Sequence, residues 1–333
     1  MSTEIDVLLP FHAAAPGLDA AIRSIIVQTY GHWRLILIDN KAHETAKQVA
    51  QRWAQEDARI IIIHEKEQGI AHALNTGLGA VTAPLVARMD ADDICHPERF
   101  QEQVQMLMGD STLGAVSCLT HLTSEVANHA GLQHFVNWQN GIITPEEHVL
   151  NRFVESPVAH PTMMFRAELI DRYGPYCTTP APEDYELWLR WMANGVRMAK
   201  VPRPLLTWHD HPDRLTRLHP HYNEERMFEV KGHYLGQWIR GHLPDTRPVT
   251  VCGSSRWSDL RAQKLHEVGV RIDYCTDVIG PRNSRFAFIT PEVAIQSGHF
   301  LINLIAQHGV RERMRQHFMA QGLVEGKDFL MAA

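Results

Sequence analysis

The first hundred residues alternate short apolar runs with segments of helical spacing, and this alternation most restricts the fold that the chain can adopt. The segments with helical spacing are residues 18–28, 45–53 and 70–78. The apolar runs that predict buried strands are Ile5–Leu9, Leu35–Ile38, Ile60–Ile63 and Leu85–Met89. Buried strands that alternate with helices are typical of a mostly parallel sheet flanked by helices. The sequence therefore predicts an α/β domain.

Polar or turn-forming residues follow three of these predicted strands. Pro10 and Phe11 follow the first strand, Asp39 and Asn40 follow the second, and Asp90–Asp93 follows the fourth. In parallel α/β sheets, ligands bind beyond the carboxyl ends of the strands. We therefore expect a binding site where these three strand ends meet.

The segment Asp90-Ala91-Asp92-Asp93 places three carboxylates within four residues. Like charges at this spacing raise one another's pKa, and a divalent cation relieves the repulsion. Hard oxygen ligands in this number suit Mg²⁺ or Mn²⁺. The alternative is a solvated acidic turn, in which Asp92 or Asp93 caps the helix predicted from Pro97 onward.

The composition, 44% hydrophobic and 21% charged, is that of a soluble globular protein. The net charge of -6 offers no electrostatic basis for binding nucleic acid. No uninterrupted apolar run reaches the roughly 18 residues of a membrane span, and the N-terminus reads as a strand rather than a signal peptide. The five cysteines are scattered, which favours a reducing cytoplasm over a disulfide framework or a structural zinc site.

The later part of the chain predicts further elements and a domain boundary. Helices are expected at residues 98–108 and 182–192, and strands at 115–122 and 158–165. A polar, proline-containing stretch at 240–248 separates a predicted first domain, 1–242, from a second, 243–333. The sequence of the second domain predicts a smaller α/β unit. Its helices are expected at 258–268 and 310–321, and its strands at 249–252, 271–275, 285–289, 300–305 and 329–331.

Six segments of residues 5–211 carry a resemblance to a known family. They are Val7–Phe11, Ser24–Tyr30, Gly69–Leu78, Ala87–Ile94 with Pro97–Arg99, His160–Arg166 and Glu183–Arg190. In this order and at this spacing, the segments resemble family-2 glycosyltransferases with a GT-A fold, of the bacterial polysaccharide type. Six ordered segments make the resemblance far more specific than the D-x-D motif alone. The second domain resembles Rossmann-like appendages of some of these enzymes.

The resemblance implies transfer of a sugar from a nucleoside-diphosphate sugar to a hydroxyl of a saccharide, lipid-linked or other acceptor. It implies Mg²⁺ or Mn²⁺ held by Asp92 and Asp93, with Asp90 at the ribose or the metal. Asp184 matches the family's base position, from which a single displacement inverts the anomeric carbon. Taken alone, Asp184 also reads as an ordinary acidic residue in the first turn of a helix.

A third metal ligand is implied at His211, which matches the histidine of the family's Y-R-x-H pattern, with His209 in place of the arginine. The alternative is a histidine-rich surface loop, because His219 and His221 follow closely.

The resemblance implies a cytoplasmic protein. Any membrane attachment is expected to be peripheral, at the inner face of the membrane.

The implied donor pocket comprises Pro10, Phe11, Asp39, Asn40, Gly69, Asn75, Arg88, Asp90 and Asp92. Relatives commonly carry Asp-Asp-Gly-Ser where this chain has Asp39-Asn40-Lys41-Ala42, so the amide oxygen of Asn40 replaces a charged acceptor. Leu74 stands where a basic residue is common, and His72 or Arg88 is the expected substitute. The alternative for His72 is an ordinary position on a helix face, and the alternative for Arg88 is a solvent contact at the end of a strand. A UDP-sugar is the favoured donor.

The second domain retains one glycine, Gly253, where the dinucleotide fingerprint G-x-G-x-x-G has three. Ser255 and Ser258 fill the other positions, although Asp277 follows the next strand and suits a ribose. This pattern favours a structural, oligomerisation or docking role. The alternatives to a transferase are a dinucleotide-dependent oxidoreductase or sensor built on this domain, and an inactive sugar-nucleotide-binding module.

Overall fold

The computed structural model describes residues 3–13, 15–127, 129–212, 214, 217, 219–243, 246–278, 280, 284–307 and 309–333. The chain forms two compact units. The first unit comprises residues up to 145 together with 158–222, and the second comprises 146–157 together with 223–333.

The first unit contains one mixed sheet. Its strands are β1 Ile5–Ala13, β2 Trp33–Ala42, β3 Ile60–His64, β4 Leu85–Arg88, β5 Ile94–Cys95, β6 Leu113–Ser124, β7 Met164–Arg166 and β8 Arg197–Asp210. They lie in the order β3-β2-β1-β4-β7-β6-β8-β5. The pairs β1–β2, β1–β4 and β2–β3 are parallel, whereas β7 is antiparallel to both β4 and β6. The carboxyl ends of β1, β2 and β4 therefore share one edge.

Helices cover both faces of this sheet. They are α1 Leu18–Ile26, α2 Glu44–Glu56, α3 Ile70–Leu78, α4 Arg99–Gly109, α5 Ala130–Asn140, α6 Pro145–Asn151, α7 Glu168–Tyr173 and α8 Glu183–Ala193. Helix α6 crosses the division between the two units in the sequence. Leu35 and Leu37 of β2 pack into the core shared with α1, α2 and α4, whereas Ile36 and Ile38 pack into the core shared with α3 and α8. Burial on both faces is the reason that these strands are continuous apolar runs.

Two strands are among the elements of the first unit that differ from the prediction. The strand predicted at 158–165 is wrong over most of its length, because His160–Thr162 forms a 3-10 turn before the short β7. Strand β8 was not predicted, since Pro202 and Pro204 interrupt it and proline is rare inside sheets. The β6–β8 pairing shifts register where Leu119 faces Pro204, so the sheet accommodates that proline at an irregularity.

The second unit has its own sheet of five parallel strands. They are β9 Val249–Cys252, β10 Tyr274–Thr276, β11 Ala287–Phe288, β12 Phe300–Asn303 and β13 Phe329–Met331, in the order β11-β10-β9-β12-β13. Its further helices are α9 Glu224–His242, α10 Arg256–Glu267, α11 Pro291–Gln296 and α12 Val310–Ala320. The arrangement is Rossmann-like, and the predicted fold class is confirmed for both sheets.

Helix α9 groups with the second unit, which resumes at residue 223, whereas the polar, proline-containing stretch predicted a domain boundary between 242 and 243. Gly232 and Gly236 of α9 face Leu265 and Val268 at the end of α10. A lysine, Lys231, and both glycines occupy buried positions of α9, which hides its helical pattern in the sequence. Among the described residues, no helix has both the length and the apolar character needed to cross a bilayer.

Candidate active site

The acidic segment lies just beyond the end of β4, at the edge that the sequence predicted. The carboxylates of Asp90, Asp92 and Asp93 each offer an oxygen, and these oxygens lie within 4.8 Å of one another. The side chain of Asp90 is 30% exposed and that of Asp92 is 41% exposed, whereas Asp93 is fully buried. The cluster is therefore open to a ligand on one side and embedded in the protein on the other.

Each carboxylate is held by a different part of the first unit. Arg88 Nη2 donates to Asp90 Oδ1 at 2.6 Å, and the backbone N–H of His209 donates to Asp93 Oδ1 at 2.9 Å. Asp92 Oδ2 lies 2.8 Å from Nε2 of His211. The structure thus brings His211 to the cluster, just after the end of β8, as the resemblance implied.

The cluster suits a divalent cation. Within the described part of the chain, Asp93 Oδ2 is buried and has no hydrogen-bond partner. Burial, with the charges of Asp90 and Asp92, raises the pKa of Asp93 well above its usual value. Burial also raises the pKa of Asp90, against the opposing charge of Arg88. A cation among these oxygens and His211 supplies the positive charge that their ionised forms require.

The segment after the acidic cluster is tied to the end of α1. Ser24 Oγ accepts the N–H of Cys95 at 3.1 Å. Gln28 donates to the carbonyl of His96 at 2.7 Å and accepts the N–H of Phe100 at 3.0 Å. The serine and glutamine of the Ser24–Tyr30 motif therefore position the loop that leaves the site.

Gly17 is a residue of this site that the sequence analysis missed. A Cβ at Gly17 would lie 2.8 Å from Asp92 Cα and 2.9 Å from the carbonyl oxygen of Ala91. The acidic loop therefore rests directly on the backbone that begins α1, and only glycine fits there. The dipeptide Pro16-Gly17 was a turn signal, but nothing local in the sequence linked it to the acidic loop.

Asn40 and Gly69, both predicted in the donor pocket, are bonded to each other. Asn40 Oδ1 accepts the N–H of Gly69 at 2.9 Å, and Asn40 Nδ2 donates to the carbonyl of Glu67 at 2.7 Å. Gly69 has φ of +142°, a conformation that favours glycine, and α3 begins directly after it. The amide oxygen of Asn40, which stands in place of a charged acceptor, thus already accepts one hydrogen bond and has one lone pair left.

The other predicted strand-end residues are buried in the protein. Asp39 Oδ1 accepts the N–H of Ala42 at 2.8 Å, and its Oδ2 lies 3.1 Å from Nδ1 of His64. Pro10 is buried, and Phe11 is 2% exposed, with its side chain in the hydrophobic core. At Phe11 the backbone, rather than the ring, is therefore the part that can face a donor.

Asn75, also predicted in the donor pocket, hydrogen-bonds to the backbone of a residue far along the chain, Tyr176. Its Oδ1 accepts the N–H of Tyr176 at 3.0 Å, and its Nδ2 donates to the carbonyl of Tyr176 at 2.9 Å. The hydroxyl of Tyr176 in turn lies 3.0 Å from Nε2 of the buried His160. The side-chain amide of Asn75 is thus engaged by the backbone of Tyr176 through both its oxygen and its nitrogen, and its place in the donor pocket stays a prediction.

Asp184, the predicted base, lies in the first turn of α8. It is half-buried, and the N–H of Tyr185 donates to its Oδ1 at 2.7 Å. Burial raises the pKa of Asp184 to about 6, while that N–H and the charge of Arg88 oppose the rise. A carboxylate with a pKa near neutrality suits a general base, since it is ionised at pH 7 and still basic.

Glu183 and Tyr222 form a pair beside Asp184 that the sequence analysis did not identify as part of the site. The hydroxyl of Tyr222 donates to Glu183 Oε2 at 2.6 Å, and Glu183 Oε1 lies 3.9 Å from Nδ1 of His160. Burial and the charge of Asp184 raise the pKa of Glu183 to about 8. Glu183 and His160 were in recognised motifs, whereas Tyr222 carried no signal in the sequence.

Comparison with known proteins identifies the family and supports the fold. A family model described as Glycosyl transferase family 2 matches residues 6–174. The amylovoran biosynthesis glycosyltransferase AmsE of Erwinia amylovora is 32% identical over 190 residues, covering 57% of this chain and 69% of that protein. A UDP-Gal:alpha-D-GlcNAc-diphosphoundecaprenol beta-1,3-galactosyltransferase of Escherichia coli is 30% identical over 190 residues, covering 57% of this chain and 67% of that protein.

A solved structure of similar fold is the mannosyltransferase PcManGT from Pyrobaculum calidifontis, in complex with GDP-Man and Mn²⁺. Its TM-score is 0.52 at 21% sequence identity, covering 72% of this chain and 64% of that chain. At this identity the likeness concerns the fold.

Proposed function

Because the chain belongs to glycosyl transferase family 2 and has the GT-A fold, we propose that it transfers a hexose from a nucleoside-diphosphate sugar to a hydroxyl acceptor, with inversion at the anomeric carbon. The observation that carries this proposal is the gathering of three carboxylates and His211 at one sheet edge. In the same unit, burial raises the pKa of Asp184 to about 6, which supports its assignment as the base.

We assign the binding of Mg²⁺ or Mn²⁺ to Asp92, Asp93 and His211, with Asp90 at the metal or the donor ribose. When bound, the cation neutralises the negative charge that develops on the diphosphate leaving group. The bond from Arg88 to Asp90 holds that carboxylate in place from the protein side. This arrangement binds and orients the donor at the strand ends.

Asp184 accepts the proton of the acceptor hydroxyl as that oxygen attacks the anomeric carbon. One displacement of this kind forms the new glycosidic bond, releases the nucleoside diphosphate and inverts the configuration. Glu183 supports this role, because a neutral Glu183 that accepts the Tyr222 hydroxyl leaves the negative charge of the pair on Asp184.

We favour a UDP-sugar donor and an acceptor in surface-polysaccharide or glycoconjugate assembly. The name of the Escherichia coli relative specifies UDP-Gal and a lipid-linked diphosphate acceptor, and that of AmsE specifies amylovoran biosynthesis. A lipid-linked acceptor brings the reaction to the cytoplasmic face of the membrane by peripheral association.

The test is a transfer assay with UDP-, dTDP-, GDP- and CMP-sugars, with Mn²⁺ and with EDTA. We expect transfer from one donor class only with metal, and a product of inverted configuration by NMR. Asp184→Asn is expected to slow transfer by about 10²–10⁴-fold, the usual size of general-base catalysis, with donor affinity nearly unchanged. Glu186→Gln is the matched control, because it removes a carboxylate of the same helix that pairs with Arg190 instead.

Two results would refute separate parts of the proposal. Full transfer activity of Asp184→Asn removes the assigned base. Transfer that is insensitive both to EDTA and to Asp92→Asn removes the metal site.

A further inference from the structure

The second unit contains a cavity of about 850 Å³ at the carboxyl edge of its own sheet. Its wall is formed by the segments that follow β9, β10 and β12, together with parts of α9, α10 and α12. β9 pairs with β10 on one side and β12 on the other, so the cavity lies where the strand order reverses. Parallel α/β sheets bind ligands at this point, and the volume is typical of small-molecule sites.

Most of the wall is apolar, and three of its large hydrophobic side chains, Trp257, Leu260 and Val278, are exposed. Trp257 of α10 is 61% exposed and Val278 is 77% exposed. The deeper wall includes Phe228, Leu304 and Phe318, which are buried. An exposed tryptophan beside an apolar cavity offers a flat surface on which an aromatic ring can stack.

The same wall contains two polar groups at the end of β10. The N–H and hydroxyl of Ser254 donate to Oδ2 of Asp277 at 2.8 and 2.9 Å, which fixes this carboxylate in the wall. A carboxylate has about four acceptor sites and can accept further hydrogen bonds. Thr276 is 3% exposed, and its hydroxyl has no hydrogen-bond partner in the part of the chain that the structure describes.

The charges of the wall disfavour a phosphate ligand. Among the described lining residues, Arg261 and Lys264 carry the positive charge. Lys264 Nζ lies 2.9 Å from carboxylate oxygens of both Glu225 and Glu229, and Arg261 Nη2 lies 3.8 Å from Glu224. These cations already face carboxylates, so a diphosphate would meet an acidic wall.

The loop after β9 also lacks the glycine that admits a pyrophosphate. Gly253 has φ of +115°, and a Cβ there would lie 2.6 Å from Ser258 Oγ and 2.9 Å from Ile305 Cγ1, so the tight turn of the fingerprint is kept. In dinucleotide-binding domains, the second glycine of this loop lets the backbone approach the pyrophosphate closely. Ser255 stands at that position, and its hydroxyl accepts the N–H of Ser258 at 3.1 Å.

We propose that this cavity binds an uncharged nucleoside, with its base stacked on Trp257 and its ribose hydroxyls donating to Asp277. An aromatic surface, a fixed carboxylate acceptor and, among the described lining residues, cations that already face carboxylates together favour this class of ligand. The site lies wholly in the second unit, and the proposal does not depend on the transfer reaction.

The test is calorimetry of the full chain with adenosine, guanosine, cytidine and uridine, in the presence of saturating UDP and Mn²⁺ to occupy the first unit. We expect at least one nucleoside to bind with Kd below about 100 μM. The corresponding nucleoside 5′-diphosphate is expected to bind at least tenfold more weakly.

Three variants locate the site. Trp257→Ala is expected to weaken binding about tenfold, the usual loss for one stacked base. Asp277→Asn is expected to weaken binding similarly, but it also disturbs the bond to Ser254. Ala306→Trp, at an exposed lining position, fills the cavity without altering that bond. Met319→Ala is the control, because Met319 is 59% exposed on α12 and lies outside the lining.

Three outcomes would overturn the proposal. One is that no nucleoside binds below about 1 mM. Another is a nucleoside affinity that Trp257→Ala and Ala306→Trp both leave unchanged, with circular dichroism showing folded variants. The third is tighter binding of the diphosphate than of the nucleoside at this site.

Discussion

At the scale of single residues, burial controls which carboxyl groups of the candidate active site are charged. It raises the pKa of Asp184 to about 6 and that of Glu183 to about 8. The pKa of Glu183 thus lies above that of Asp184, so Asp184 loses its proton first as the pH rises. When the pKa values of two neighbouring carboxyl groups are pushed apart in this way, the group with the lower pKa can act as a base.

The pH dependence of transfer tests this assignment. A base with a raised pKa is protonated below that pKa, so kcat/KM should rise from pH 5 through about 6 and level off above pH 7. Initial rates with saturating Mn²⁺ measure this profile, and UDP binding over the same range is the control. A profile that is flat between pH 5 and 7 would exclude Asp184 as the titrating base.

The close approach of Gly17 to the acidic loop predicts an effect on metal binding. Gly17→Ala places a Cβ 2.8 Å from Asp92 Cα, so the loop must move. We expect about tenfold weaker activation by Mn²⁺ and a free energy of unfolding lower by about 1–3 kcal/mol. Gly31→Ala is the matched control, since a Cβ there has no described atom within 4 Å. Unchanged Mn²⁺ activation of Gly17→Ala would contradict this account.

At the scale of elements, one buried carboxylate ties together the strands that carry the site. Asp6 of β1 accepts bonds from Arg34 of β2 at 2.7 and 2.8 Å. It also accepts the N–H groups of Thr82 and Ala83, which precede β4, at 2.7 and 2.9 Å. Burial alone would raise the pKa of Asp6, but these bonds outweigh burial and lower the pKa.

Asp6→Asn should therefore destabilise the first unit in a pH-dependent manner. We expect a loss of about 2 kcal/mol near pH 7, below the range for fully buried pairs because Arg34 is one-third exposed. Since the folded-state pKa is lowered, the contribution is present above the ordinary pKa of 3.8 and disappears as the pH falls below it. Urea unfolding at pH 7 and near pH 3.5 measures both effects.

Asp19→Asn is the control for this comparison, because Asp19 lies on α1 with its side chain 40% exposed and forms surface ion pairs. This substitution is expected to lower the free energy of unfolding by less than about 1 kcal/mol. If Asp6→Asn lowers the free energy of unfolding equally at both pH values, the charge of Asp6 does not contribute to stability.

At the scale of the whole molecule, the two units are interleaved in sequence. Residues 146–157 and α9 both belong with the second unit, although they precede the predicted boundary. The buried face of α9 includes Phe228, Leu235 and Ile239, and each such side chain contributes about 1.5–3 kcal/mol by burial. A cut at the predicted boundary therefore leaves an apolar helix without its partners.

Truncation tests this division. A chain ending at His242 is expected to aggregate more than one ending at Tyr222, because only the longer chain exposes the apolar face of α9. Size-exclusion chromatography and binding of a hydrophobic dye compare the two chains, with the full chain as reference. A monomeric, cooperatively melting chain that ends at His242 would place α9 with the first unit instead.

The amino-acid sequence by itself determined the fold class, the family and the edge of the sheet where the acidic residues lie. Buried strands such as Leu35–Ile38 are read directly, because a strand covered on both faces must be apolar throughout. The carboxyl ends of adjacent parallel strands meet at one edge, so Asp39 and Asp90 could be assigned to it without coordinates.

Only the tertiary structure decided what several polar residues contact. Asn75 bonds the backbone of Tyr176, and Asn40 bonds the backbone N–H of Gly69. Gly17 was not singled out, and it supports Asp92. The incomplete glycine motif around Gly253 predicted that no dinucleotide binds there, yet the structure has a cavity at this position. Each of these contacts joins segments far apart in the chain, and side-chain packing between such segments leaves no periodic signal in the sequence.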